Sequence, residues 1–132
     1  MLRAILFLLF LSPTAALALS GLEYLERCER FPSVEERDAG MCLYYVSGVI
    51  DGARTGAQAA RLATSLEAAK TGGFVAIIGD VERDLGVCLE RGVSIIQTTA
   101  MFVKHLQENP NEWHLPAAET LMGLLRKSFP CP

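Results

Sequence analysis

An all-α fold is predicted for this chain, as a compact bundle of four to five short helices stapled by two disulfides. Three observations predict it. Helix-start signals of the form Ser-x-x-Glu or Ser-x-x-Gln precede apolar residues that recur every three to four positions. The cysteine count is even, at four. An apolar leader directs the chain to a compartment where those cysteines oxidise.

The leader comes first. Met1-Leu2-Arg3 is a short positive start, and Ala4 to Leu11 is an unbroken apolar run. Ser12-Pro13-Thr14 breaks the run, and Ala16-Leu17-Ala18 supplies the small residues of a signal-peptidase site. Cleavage is expected after Ala18. The competing reading is a membrane anchor, but a spanning helix needs about 20 apolar residues and Pro13 interrupts this one early. In Leu25-Glu-Arg-Cys28 a bulky arginine precedes the cysteine, well past the apolar run, which does not suit a lipid anchor.

Removing residues 1–18 from the 132 leaves 114, expected to form one helical domain over 19–132. The leader carries Arg3 and no acidic residue, so its loss moves the formal net charge from −3 to −4. A mildly acidic chain lacks the electrostatic footprint of a nucleic-acid or anionic-membrane partner. It has no second long apolar run, so no membrane association is expected after cleavage.

Ser20-Gly-Leu-Glu23 is a capping box, followed by Leu22, Leu25 and Cys28 on one face, and Pro32 ends that helix. Ser33-Val-Glu-Glu36 is a second box. Met41, Cys42, Tyr45, Val46, Val49, Ile50 and Ala53 then recur at helical spacing. Gly48 and Gly52 lie four apart on this helix, with Gly56 a turn later. Mid-helix glycine costs roughly 1 kcal/mol against alanine and is best tolerated where another backbone comes close. The pair therefore reads either as a close-packing or interface stripe, or as a loosened helix end.

Ala57 to Lys70 is rich in helix formers and stops at Gly72-Gly73. Phe74-Val-Ala-Ile-Ile78 suits a buried helical turn or a strand, which periodicity cannot separate over five residues. Gly79 to Gly86 is charged and expected to be exposed. Ser94-Ile-Ile-Gln97 starts a helix whose stripe is Ile95, Ile96, Thr99, Phe102, Val103 and Leu106, stopped by Asn109-Pro110. The last helix starts near Pro116, buries Ala118, Leu121, Met122 and Leu125, and ends at Pro130.

Cys28 closes the first helix and Cys42 opens the next, so a short turn between antiparallel helices brings them together. Cys88 precedes one of the later helices and Cys131 follows the last. Of three connectivities, this topology favours Cys28–Cys42 with Cys88–Cys131, worth roughly 3 and 4 kcal/mol by the loop-entropy model. A zinc site of cysteines with His105 and His114 is the rival, but no cysteine pair has Cys-x-x-Cys spacing. The same absence argues against a thioredoxin-like oxidoreductase.

The sequence has no Gly-x-Ser-x-Gly elbow, Walker loop, His-Glu-x-x-His or calcium loop. His105 faces away from its apolar stripe and is expected to be solvated. Trp113, beside His114 in the turn from Asn109 to Pro116, is a packed anchor or, exposed, a contact residue. Glu23, Glu26, Glu29, Glu35, Glu36 and Asp38 make an acidic first third, solvated or binding. No catalytic residue, metal or cofactor is assigned. A secreted, disulfide-stapled helical domain of this kind reads as a binder rather than an enzyme.

Several segments in order form a pattern: Cys42-Leu-Tyr-Tyr-Val-Ser-Gly48-Val-Ile-Asp-Gly52, Cys88 with Gly92-Val-Ser94, Phe102 to Pro110, His114-Leu-Pro-Ala-Ala118 and Ser128-Phe-Pro-Cys131. This ordered set resembles the Rap/Tai family of type VI secretion amidase immunity proteins, over most of the mature chain. The resemblance implies a small helical periplasmic protein, commonly a homodimer, that blocks the cleft of a peptidoglycan amidase. It leaves the toxin-binding residues unassigned. After Cys88, Leu-Glu-Arg stands where the family pattern has proline, and Ala57 to Gly86 has no counterpart in that pattern. A periplasmic helical chaperone or stress protein binding unfolded clients is the alternative function.

Overall fold

Burial of one aromatic ring organises the helices. The computed structural model describes residues 18–33, 36–70, 80–89 and 92–132, with backbone alone at 36 and 69. Leader residues 1–17, the run Phe74 to Ile78, and Val34 and Glu35 of the second capping box lie outside the described residues. Among those described, five α-helices and one 3-10 turn follow one another, joined by turns.

Helix α1 (Gly21–Cys28) begins at the expected box. Ser20 Oγ accepts from the Glu23 amide at 3.2 Å, and Glu23 Oε2 accepts from the Ser20 amide at 2.8 Å. The bond from the Ser20 backbone, then that from its hydroxyl, holds the Glu23 carboxyl below its ordinary range. Its buried face is Gly21, Tyr24, Leu25 and Cys28. Leu22, placed on the apolar face by sequence, is 37% exposed. Tyr24 takes its place, fully buried, with ring centroids 5.2 Å from Tyr45 and 4.9 Å from Phe102. Its hydroxyl donates to the Cys42 carbonyl at 3.3 Å.

Helix α2 (Glu36–Lys70) runs 35 residues without a break. At about 1.5 Å per residue it is roughly 50 Å long. The apolar stretch to Ala53 and the alanine-rich stretch from Ala57 are therefore one helix rather than two short ones. Cys42 and Val46 are buried on it, with Tyr45, Val49 and Ile50 packed at the core margin. Helical stability in proteins comes mainly from such packing, so the four glycines of α2 do not break it.

Among the described residues, a Cβ at Gly48, Gly52 or Gly56 would meet no atom within 4 Å. Gly21 is where a backbone does come close: a Cβ there would stand 3.0 Å from Leu106 Cδ2 and 3.3 Å from the Glu112 carbonyl oxygen.

The charged stretch from Asp80 to Gly86 has no buried residue. It folds as α3 (Val81–Leu85), capped by Asp80, whose side chain accepts from the Glu82 and Arg83 amides. Gly86 ends it at φ 68°, a left-handed conformation that glycine adopts without strain. Arg54 and Arg61 of α2 pair with Glu82 and Asp84 across it.

Helix α4 (Ile95–Glu108) starts at Ser94, whose side chain accepts from the Gln97 amide. It buries Thr98, Thr99, Phe102, Val103 and Leu106, whereas Ile96 is 54% exposed. The 3-10 turn Pro110–Glu112 leads to α5 (Ala117–Ser128), which buries Ala117, Thr120, Leu121 and Leu125. Ala118 and Met122, expected inside, are only half-buried.

The segment before α1 is fixed to this end of the chain. Ser20 bridges Pro116, the Ala117 amide donates to the Leu19 carbonyl at 2.8 Å, and the Gly21 amide donates to the Leu115 carbonyl at 2.9 Å. Both expected disulfides are formed, Cys28–Cys42 and Cys88–Cys131, with S–S distances of 2.05 and 2.03 Å. They close separations of 14 and 43 residues.

Replacing both cysteines of the longer loop (Cys88→Ala with Cys131→Ala) should lower unfolding free energy by about 4 kcal/mol, and the shorter pair by about 3. Urea unfolding of each double variant measures this. Gly48→Ala and Gly52→Ala fill open space in a helix, so each should stabilise the fold, by up to about 1 kcal/mol; a lowered melting temperature would show a hidden contact. Glu23, with its folded pKa lowered, stabilises above its ordinary titration range, and that contribution vanishes as pH falls through the lowered value. Glu23→Gln should therefore flatten the acid side of the melting-temperature profile.

Candidate binding surfaces

Among the described residues no group of three or more His, Cys, Asp or Glu is placed to hold a metal ion. All four thiols are consumed in disulfides. His114 is exposed in the turn.

His105 is not the solvated residue its helical position suggests. Its Nε2 lies 2.8 Å from Glu112 Oε2, and the two side chains are only 20% and 30% exposed. Asn109 Nδ2 approaches His105 Nδ1 at 3.3 Å and donates to the His105 carbonyl at 2.7 Å. The 3-10 turn folds Glu112 back over the last turn of α4, which helical periodicity does not anticipate. Both ring nitrogens have a partner within hydrogen-bond distance, and the residue ties α4 to the turn. Trp113 works in the same place as the packed anchor: half-buried against the core, its Nε1 donates to the Leu106 carbonyl at 2.7 Å.

Burial moves the tyrosine hydroxyls in a single direction. Desolvation pushes both Tyr24 and Tyr45 above the ordinary range, so neither ionises near neutrality.

What remains is surface shape. Gly48, Val49, Gly52 and Ala53 of α2 face Ala118, Glu119, Met122 and Arg126 of α5 across a shallow groove. Gly48 and Gly52, singled out by spacing, thus stand on one wall of a groove open to solvent. Its second wall comes from residues about 70 positions later, which the sequence alone does not pair with them. One turn before Gly48, Tyr44 is 79% exposed on α2. Farther along α2, Leu62 and Leu66 are 47% and 57% exposed. Helical spacing places Tyr44 opposite the buried face, but an exposed tyrosine in an apolar stretch gives no separate signal.

The acidic first third is only partly acidic as a surface. Glu23, Glu26 and Glu29 are exposed, but Arg27 and Arg30 are interleaved with them. Among the described residues no helix is long and apolar enough to cross a membrane. Such an arrangement can dock another protein through shape and a few charges.

No curated protein and no solved structure matches this chain. The family model for Rap1a immunity proteins matches residues 20–131, from the N-cap of α1 to the last cysteine. A match over that span takes in every described helix, and the chain belongs to the Rap1a immunity protein family.

Proposed function

We propose that the mature protein is a periplasmic immunity protein that binds a type VI secretion peptidoglycan amidase and sterically blocks its cleft. Family membership over residues 20–131 carries this reading, since it points to immunity against a toxin. The amidase as target rests on the resemblance to the Rap/Tai proteins. So does the homodimeric state, which belongs to the same proposal.

The physical character of the fold supports it. Steric inhibition needs a rigid body, because ordering loops on binding subtracts from affinity. Two disulfides, the bridge between Ser20 and Pro116, and the close seat of Gly21 make such a body. Oxidised cysteines suit the periplasm. The Leu19 carbonyl accepts from the Ala117 amide, which ties the expected mature start to α5.

Mixing residues 19–132 with the amidase encoded by the neighbouring gene, and assaying wall-peptide cleavage, tests the reading. Stoichiometric loss of cleavage with a co-eluting complex is expected; full cleavage at excess protein would sink the amidase assignment. Mass spectrometry of protein recovered from the periplasm should give a chain starting at Leu19. A mass that retains residues 1–18 would instead support the anchor.

A further inference from the structure

We propose that the Cys88–Cys131 disulfide is a thiol-exchange site: a dithiol reductant opens this bond in the folded protein while the Cys28–Cys42 disulfide stays closed. This is covalent chemistry at the surface of the fold, and it stands apart from the identity of any toxin.

Burial separates the two bonds. Cys28 and Cys42 are both 0% exposed and belong to the core cluster. Tyr24, equally buried, donates its hydroxyl to the Cys42 carbonyl at 3.3 Å. A thiolate has to reach a disulfide sulfur to attack it, so exchange rates depend on access. The inner bond therefore becomes available only when the core opens, at a cost close to that of global unfolding. Cys88 and Cys131 are half-buried instead, and Cys131 stands between exposed Pro130 and exposed Pro132, beyond the last turn of α5. A small thiol reaches this bond without opening the core.

The exchange balances over two steps. A reductant thiolate bonds to one sulfur and the Cys88–Cys131 bond breaks, so the other cysteine leaves as a thiolate and takes up a proton. The second thiol of the reductant, having lost its proton, then attacks the mixed disulfide, closes its own disulfide and releases the remaining cysteine. Two electrons and two protons pass from the dithiol, which is oxidised, to the protein disulfide, which is reduced.

The surroundings of the bond accommodate its opened form. The Glu82 carbonyl oxygen lies 3.6 Å from Cys131 Sγ, where it can accept from the S–H that reduction creates. The segments on both sides of the bond also keep other ties. The Cys88 amide donates to the Phe129 carbonyl at 2.9 Å, and Arg126 Nε donates to the Leu85 carbonyl at 2.9 Å. Val87 is buried in the core, and Phe129 packs against that core. Opening the bond releases a closure of 43 residues while these contacts hold Cys88 and Cys131 near each other. The same two steps run backwards when a small disulfide oxidant is supplied.

A timed reduction tests the site. Oxidised protein of residues 19–132 is incubated in the cold with dithiothreitol at about pH 8, near the ordinary thiol pKa, and thiols are trapped by alkylation and located by peptide mass mapping. Cys88 and Cys131 should be labelled together, at least about tenfold faster than Cys28 and Cys42. In strong urea, where burial is lost, that lead should collapse. The dithiol form should keep the far-ultraviolet helix signal and melt cooperatively at a lower temperature than the oxidised protein. Cys88→Ser with Cys131→Ser, a permanent analogue of the open form, should keep that signal and a Cys28–Cys42 bond that resists the dithiol over the same interval. The wild-type time course decides even where this variant fails to accumulate. Equal labelling of all four cysteines in native buffer, earlier labelling of Cys28 and Cys42, or no labelling at all would overturn the proposal. So would loss of the helix signal in step with the first labelling, which places the reaction in the unfolded chain.

Discussion

The buried Tyr24 ring is the constraint around which the helices arrange. It lies between Tyr45 of α2 and Phe102 of α4, tilted about 40° to each. Tilted aromatic pairs add about 0.5–1.5 kcal/mol beyond the area they bury. A phenol can be buried this deeply only if its hydroxyl finds an acceptor, and the Cys42 carbonyl supplies one. That requirement sets α1 against the start of α2, and it leaves the Cys28 and Cys42 sulfurs adjacent. Core packing and the first disulfide are thus two consequences of one placement.

The second end of the molecule is organised by backbone pairing. Residues 19–22 run beside 113–117, so the first described residues and the start of α5 hold each other. Gly21 permits the approach, with Leu106 and Glu112 where a side chain would stand. Trp113 and His105 then fix the 3-10 turn to α4 through the Leu106 carbonyl and Glu112. A core of this size is small, and closing loops of 14 and 43 residues with covalent bonds supplies the margin that packing alone lacks.

These features make a braced helical body. Its polar side chains in half-buried positions are paired for structure, as His105 with Glu112 and Asn109. Its open features are surfaces: a groove with glycines on one wall, an exposed Tyr44, and a long helix extending past the core. Mid-helix glycines on which no described residue packs leave room for a partner's backbone.

The sequence by itself determined the helical class, the starts at Ser20 and Ser94, the stops at Asn109 and Pro130, and the pairing of the four cysteines. Those are local or nearest-neighbour properties: a cap is satisfied within three residues, and consecutive antiparallel helices place their ends together. The ordered residues from Cys42 to Cys131 also carried the family. Tertiary structure alone decided the rest. Leu22 and Tyr24 lie on either side of a short helix, and only the position of α4 says which one is buried. His105 looks solvated until a turn brings Glu112 back to it. Gly48 and Gly52 carry no instruction about what faces them, because their opposite wall is built by α5. The pairing of α3 with α2, Arg54 with Glu82 and Arg61 with Asp84, joins charges some 20 to 30 residues apart, a distance over which periodicity is silent.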